Sequence, residues 1–179
     1  DPDVDEDAHP ARRVFLPAFY IDKTEVTNAE FAKFKPEHKV LKGEENLPAT
    51  GVTYADAAAY AKWAGKRLPT NDEWEKAARG TDGRIYPWGN QWDKTKVAAR
   101  AKRPSTLPCG AYSRVRPVGS VPAGVSPYGC LDMAGNAWEW ISDLYKNDPN
   151  RRILRGGAVG YGERATRTYH RAIESTAAT

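Results

Sequence analysis

The stretch GVTYADAAAYAKWAGKRLPTNDEWEKAARG, residues 51–80, carries the clearest structural signals in this 179-residue chain. Thr53 and Thr70 each stand three residues before a carboxylate, at Asp56 and Glu73. A threonine hydroxyl in this position accepts a backbone N–H at the start of a helix, and a glutamate three residues later can return the bond. The stretch therefore predicts two short helices, one after each threonine.

The same signal occurs once more upstream, in Thr27-Asn-Ala-Glu30, and predicts a helix that ends near Phe34. Gly65 and Gly80 stand where the two later helices should end, since glycine tolerates the left-handed backbone found at helix C-termini. The first 80 residues thus contain three predicted helices.

The character of the chain differs on either side of these helices. Before them, RRVFLPAFYID (12–22) predicts a strand interrupted by proline. After residue 80 the helical periodicity stops. Short aromatic strands are predicted at 85–90, 137–143 and 153–159, and the basic, proline-rich stretch 94–127 contains no convincing element. A loop of that length should be functional or held by a bridge or ion.

Composition and charge narrow the class of protein. A chain of 179 residues with 40% hydrophobic residues suits one domain, and its 15 Gly and 13 Pro favour a loop-rich fold. Residues 1–80 carry a net charge of −3 and residues 81–179 a net charge of +7. The basic half suits an anionic partner or a solvated surface. No motif typical of nucleic-acid binding accompanies it, and no apolar run is long enough to span a membrane.

Five stretches resemble the formylglycine-generating-enzyme (sulfatase-modifying factor) family, and they occur in the family's order. They are FYIDKTEVTNAEFAKF (19–34), residues 51–80, YPWGN (86–90), PVGSVPAGVSPYGCLDMAGNAWEW (117–140) and RILRGGAV (152–159). The resemblance implies an α+β fold of the C-type-lectin kind, with short helices, twisted antiparallel sheet and many loops. It implies a single domain over residues 1–179, without the strands that usually open and close the family's fold.

The cysteines depart from the family pattern. Formylglycine-generating enzymes carry a cysteine pair just after the Arg-Gly-Gly strand, where it binds copper(I). The matching stretch here, 158–175, contains no cysteine, so copper and the family's cysteine oxidation are not expected. Cys109 and Cys130 lie in other motifs, where they suit either a structural disulfide or two free buried thiols.

The resemblance also implies a calcium site in DMAGNAWEW (132–140). Its ligands would be the side chains of Asp132 and Glu139 and the carbonyls of Gly135 and Ala137. Calcium prefers such hard oxygens, many of them backbone carbonyls. The alternative is that Asn136 and Glu139 only brace the turn through hydrogen bonds. The family's second calcium site corresponds to about 96–113, which lacks a carboxylate here, and is expected to be lost.

Four arginines surround the region where the family's active cleft lies: Arg155, Arg164, Arg167 and Arg171. Guanidinium groups bind carboxylates, sulfates and other anions through paired hydrogen bonds. The cluster therefore predicts a site for an acidic partner or anion. The competing interpretation is internal pairing with Glu163, Glu174 and the acidic N-terminal arm.

These observations favour a non-catalytic binding or structural module, acting as a subunit or partner-binding domain of a larger extracytoplasmic assembly. Its loop face, defined as residues 91–127 and 158–175, would contact a protein partner or anionic ligand. One alternative is an oxidoreductase of the formylglycine-generating or non-heme metal type whose site is completed elsewhere; His9, His38 and His170 do not share helical ligand spacing. The other is a calcium-dependent glycan-binding lectin, which needs an open calcium with paired Glu and Asn ligands, whereas the ligands of the one predicted calcium loop are fully used. Calcium and a disulfide both favour an oxidising, calcium-rich compartment.

Overall fold

The computed structural model describes residues 12–98 and 115–176. Three helices occupy the predicted positions. They are α1 (Asn28–Phe34), α2 (Tyr54–Trp63) and α3 (Asn71–Arg79). Each begins after the predicted threonine, whose hydroxyl accepts the N–H three residues later. The predicted helices and their starts are confirmed.

The residue three positions after the cap decides how each helix start is completed. Glu30 and Glu73 return a bond to the backbone N–H of the capping threonine, each at 2.9 Å. α2 has Asp56 at this position. Its shorter side chain instead pairs with Lys35 Nζ at 2.9 Å and thereby joins α2 to the end of α1.

A three-stranded antiparallel sheet follows, in the order β1 (Glu139–Tyr145), β2 (Asp148–Arg155) and β3 (Ala172–Ser175). β1 and β2 form a hairpin whose two connecting residues, Lys146 and Asn147, both have positive φ, as in a type I′ turn. β2 pairs with β3 through partners such as Ile153 and Ile173. Helices and sheet together give the predicted α+β class.

The core lies between α3 and the β1–β2 hairpin. Trp74 and Ile141 are fully buried there, together with Ala77, Ala78, Cys130, Met133 and Ile153. Burying an indole and several aliphatic side chains in one cluster stabilises the contact between helix and sheet. This contact places the start of β1 against α3, which positions the site described below.

Several predicted strands were wrong. Residues 12–22 form no helix and pair in no ladder, and Phe15 is 90% exposed. Residues 85–90 form a tight turn closed by reciprocal bonds between Tyr86 and Gly89. β2 stops at Arg155 because Gly156 and Gly157 turn the chain with φ of +89° and +80°. Among the described residues, no helix is long and apolar enough to cross a bilayer.

Candidate functional site

The turn Asp132–Ala137 leads into β1 and has an unusual backbone. Asp132, Gly135 and Asn136 have φ of +59°, +100° and +63°. Aspartate and asparagine tolerate this region better than most residues, but Gly135 is required for a second reason. A Cβ on Gly135 would lie 2.8 Å from Val97 Cγ1 and 3.0 Å from the Ala98 carbonyl oxygen.

Asn136 connects the turn to four other segments. Its side chain has no solvent exposure; it accepts the Arg116 N–H at 2.8 Å and donates to Glu25 Oε2 at 2.7 Å. Its backbone N–H donates to the Ala98 carbonyl at 3.1 Å, and its carbonyl accepts the Val159 N–H at 3.0 Å. Asn136 therefore braces the turn through hydrogen bonds. Bracing by this residue was part of the alternative to a calcium site, but it is compatible with a bound ion as well.

The predicted calcium ligands lie in and after this turn. Asp132 is 4% exposed; its Oδ2 accepts the Gly119 N–H, and its buried Oδ1 has no hydrogen-bond partner within the described part of the chain. Glu139 Oε2 accepts the Trp74 Nε1–H at 3.0 Å. The buried, partnerless Oδ1 of Asp132 lowers the stability of the fold unless a cation or a water molecule binds it.

Two of the predicted ligand oxygens, from Glu139 and Ala137, lie near Gly156. A Cβ on this glycine would lie 3.3 Å from Glu139 Oε1 and 3.8 Å from the Ala137 carbonyl oxygen. The carbonyl of Gly156 in turn accepts the Gly135 N–H at 2.8 Å. The missing side chain of Gly156 thus leaves the space that these two oxygens face.

The site is acidic; Asp132 is buried, and Glu25 and Glu139 are partly buried. Burial raises the pKa of Glu139 to about 7, and burial also raises the pKa of Asp132. The pKa of Glu25 is raised well above its usual value, mainly by burial and further by the charges of Glu139 and Asp132. Close, buried carboxylates disfavour one another's charged forms, and a cation would relieve that cost.

The donor chemistry fits calcium better than a softer metal. The four predicted ligands supply only oxygens, two from carboxylates and two from carbonyls, as calcium prefers. Within residues 12–98 and 115–176, no group of three or more His, Cys, Asp and Glu side chains is arranged to hold a metal. The predicted site differs from such a cluster, because two of its four ligands are backbone carbonyls.

Arg155 is placed differently from the prediction. It has no solvent exposure; its Nη2 donates to Glu75 Oε2 at 2.9 Å and to the Thr168 carbonyl at 2.6 Å. Its Nη1 donates to the carbonyls of Tyr169 and His170 at 3.1 and 3.0 Å. The prediction of an anion site is wrong for this residue, because internal acceptors take these donors and solvent does not reach them.

The other three arginines lie along the loop that Arg155 holds. Arg164 is exposed in a 3-10 helix, Glu163–Thr166. Arg167 is 15% exposed, lies 3.9 Å from a Glu163 carboxylate oxygen, and donates to the Tyr169 hydroxyl at 3.4 Å. Arg171 immediately precedes β3. The anion site stays a prediction for these three, and the contact with Glu163 shows that internal pairing also occurs.

The two predicted partners of the disulfide are not both described. Cys130 is 4% exposed within the core, and burial raises the pKa of its thiol. Cys109 lies outside the described residues. The Cys109–Cys130 bridge therefore stays a prediction.

Comparison with known proteins gives the family directly. Residues 2–179 match the sulfatase-modifying factor enzyme 1-like domain. The chain belongs to this family. It is 34% identical to the uncharacterized protein YfmG of Bacillus subtilis, over 79% of this chain and 37% of that protein. It is 40% identical to the inactive C-alpha-formylglycine-generating enzyme 2 of Bos taurus, over 63% of this chain and 38% of that protein. The chain thus spans less than two-fifths of the length of either relative.

The fold of this family member is also found in a solved structure. PvdO from Pseudomonas aeruginosa matches with a TM-score of 0.67 and 21% identity, covering 87% of this chain and 74% of that one. At this identity the likeness concerns the fold alone. It agrees with the α+β architecture built from short helices and a small antiparallel sheet.

Two important residues escaped sequence reasoning. Glu25 and Trp74 both contact the turn or its predicted ligand, yet they precede it by 112 and 65 residues. Glu25 lies in DKTEVTN and Trp74 in a helix, where each reads as an ordinary surface or core residue. The only signal in the sequence was the position of Glu25 itself, between a predicted strand and the helix-capping Thr27.

Proposed function

We propose that this family member is a non-catalytic binding module that presents its loop face to a protein partner or anionic ligand. The observation that carries the proposal is the absence of cysteine from residues 158–175, which follow the Arg-Gly-Gly bend. The family's copper(I) chemistry needs a thiolate pair there, because soft thiolates are what that ion prefers. The similarity to a relative named as inactive supports the same reading.

The second half of the loop face is held in place from inside. Arg155 binds three consecutive carbonyls, from Thr168 to His170, and so limits the conformations of that segment. Tyr161 is 61% exposed and packs edge-on against Trp138, with ring centroids 5.3 Å apart. Exposed aromatic side chains on a preorganised loop lose little entropy on binding, which favours an interface.

Calcium is proposed as a structural ion of this module, with Asp132, Glu139 and the carbonyls of Gly135 and Ala137 as its ligands. The partnerless Asp132 Oδ1 and the two oxygens of Glu139 and Ala137 that lie near Gly156 support this assignment. A bound calcium ion would supply positive charge that offsets the buried carboxylates. The chain's own residues then hold the turn, through Asn136 and the Gly135–Gly156 hydrogen bond.

An extracytoplasmic location is proposed on the basis of the calcium site and the predicted Cys109–Cys130 bridge. Extracellular calcium modules bind at calcium concentrations that the cytosol does not reach. A Cys109–Cys130 bridge would form and persist in an oxidising compartment. Membership in a larger assembly is consistent with relatives that are more than twice as long as the matched region.

The catalytic question is tested with the purified chain, a cysteine-containing peptide, copper(I) and oxygen. We expect the thiol peptide to be recovered without an aldehyde product by mass spectrometry. Formation of formylglycine above the copper-only background would contradict the proposal and favour the oxidoreductase alternative. A formylglycine-generating enzyme that has its cysteine pair serves as the positive control.

The calcium assignment is tested by isothermal titration of the calcium-free chain with CaCl₂. We expect saturable binding that Asp132→Ala and Glu139→Ala each weaken at least tenfold, because each removes a carboxylate ligand. Glu174→Gln, on exposed β3, changes the net charge equally and should leave the affinity unchanged. Equal affinity in all four proteins would remove the assignment.

A further inference from the structure

Glu25 contacts the predicted calcium turn although it precedes Ala137 by 112 residues. Its Oε1 accepts the Ala137 N–H at 2.9 Å, and its Oε2 accepts Asn136 Nδ2 at 2.7 Å. One carboxylate thus binds two consecutive residues of the turn, more than 100 positions away in the sequence. We propose that Glu25 is a positioning residue that sets the geometry of the calcium turn.

The peptide unit between Asn136 and Ala137 is fixed at both ends. Glu25 holds its N–H, and the Val159 N–H donates to its carbonyl at 3.0 Å. Because this peptide plane is fixed, the direction of the chain after it is restricted. The carbonyl that follows it along the chain is that of Ala137. Because Ala137 is a predicted ligand, any rotation of the preceding peptide would move a calcium-binding oxygen.

Glu25 is itself held by its neighbours along the chain. Two residues before it, the Lys23 carbonyl accepts the Leu131 N–H at 2.8 Å. Immediately after it, the Val26 carbonyl accepts the Ala49 N–H at 2.9 Å, and Thr27 caps α1. The backbone that carries the carboxylate is therefore hydrogen-bonded on both sides of Glu25. This restricts the position of the carboxylate and of the turn residues that bond to it.

Glu25 is assigned to positioning rather than to ligation because both of its oxygens accept hydrogen bonds from the turn. Partners of this kind orient metal ligands, and their loss commonly lowers metal affinity roughly tenfold or more. The assignment rests on the proposed calcium site. It adds to that site a residue that is distant from the turn in sequence.

Calcium affinity and stability together test the role of Glu25. Glu25→Ala and the isosteric Glu25→Gln are titrated with CaCl₂ at a temperature where near-ultraviolet circular dichroism shows each to be folded. Glu37→Ala, on an exposed side chain, matches the loss of charge. We expect Kd for calcium to rise at least tenfold in Glu25→Ala and by a smaller factor in Glu25→Gln, which retains one acceptor. Glu37→Ala should bind as the wild type does.

The outcomes separate positioning from general support of the fold. A merely structural role would lower the unfolding midpoint in EGTA but leave the calcium Kd of the folded protein unchanged, and this result would overturn the proposal. Should Glu25→Ala fail to fold, Glu25→Gln is judged by the same criterion. A wild-type chain that binds no calcium overturns the calcium site and this inference together, whereas wild-type binding with unaffected Glu25 variants overturns only this inference.

Discussion

The guanidinium of Arg155 lies over the indole ring of Trp74, 4.8 Å from its centroid, and neither side chain is exposed to solvent. The same indole donates its N–H to Glu139, a predicted calcium ligand. Arg155 meanwhile binds the carbonyls of the segment that leads into β3. Trp74 therefore contacts both a predicted calcium ligand, Glu139, and Arg155, the residue that holds the second segment of the loop face.

Arg155 should contribute strongly to stability. In Arg155→Met the cation is replaced by a side chain that cannot donate, which leaves three carbonyls without this donor and Glu75 with Arg79 as its remaining partner. We expect the free energy of unfolding to fall by about 3 kcal/mol or more, as measured by urea denaturation. Arg151→Met removes an exposed arginine from the same strand and should change it by less than about 0.5 kcal/mol. Equal losses of stability in the two variants would contradict a stabilising role for the buried hydrogen bonds of Arg155.

Trp74→Phe tests the contact between α3 and the turn. The substitution keeps an aromatic ring but removes the N–H that Glu139 accepts, so a buried carboxylate loses a donor. We expect a loss of roughly 1–3 kcal/mol in the free energy of unfolding. Trp63→Phe is the control, since Trp63 is 55% exposed. A Trp74 variant as stable as the control would show that the hydrogen bond contributes little.

Glu73 should make the protein sensitive to acid. Arg67 and the helix-cap hydrogen bonds lower its pKa from 4.5 to about 2. Because the folded-state pKa is depressed, the stabilisation is complete above about pH 4.5 and is lost as the pH falls toward about 2. We expect Glu73→Gln to flatten the fall of stability in that window by on the order of 1–2 kcal/mol, since Arg67 is partly exposed to solvent. Thermal melts of the wild type and Glu73→Gln from pH 2 to 7, with Glu174→Gln as reference, measure this pH dependence of stability.

Calcium should order the beginning of the loop face. The turn and the Gly-Gly bend share two hydrogen bonds, from Gly135 to the Gly156 carbonyl and from Val159 to the Asn136 carbonyl. We expect calcium to slow hydrogen exchange of the Gly135 and Val159 amides more than that of Ala64, the C-cap residue of α2. Unchanged exchange at Val159 in a calcium-saturated protein would mean that the ion and the loop are uncoupled.

The thiols can be counted directly. We expect the protein from an oxidising compartment to show no reactive thiol in denaturant before reduction and two after it, with a mass increase of about 2 Da. In the reduced, folded protein Cys130 should react slowly with a thiol reagent, because burial raises the pKa of its thiol. Two reactive thiols in the unreduced, denatured chain would exclude the bridge.

Short-range features were predictable from the sequence. The three helix starts, the family and the α+β class each depend on signals a few residues apart, as in the pair Thr70 and Glu73. The strand predictions were less successful, because a strand exists only where a partner pairs with it. Residues 12–22 have the composition of a strand but no ladder, whereas Ala172–Ser175 forms one against β2.

By itself the sequence determined the local structure of the helices and the chemistry available near residues 132–139, because caps and ligand types are properties of neighbouring residues. Only the tertiary structure decided which arginine faces solvent and which residues brace the turn. Arg155 and Arg151 are four positions apart, yet one is enclosed by α3 and the loop before β3 while the other is exposed. Burial and distant hydrogen bonds such as Glu25–Ala137 arise when separate segments pack together, so no local pattern encodes them.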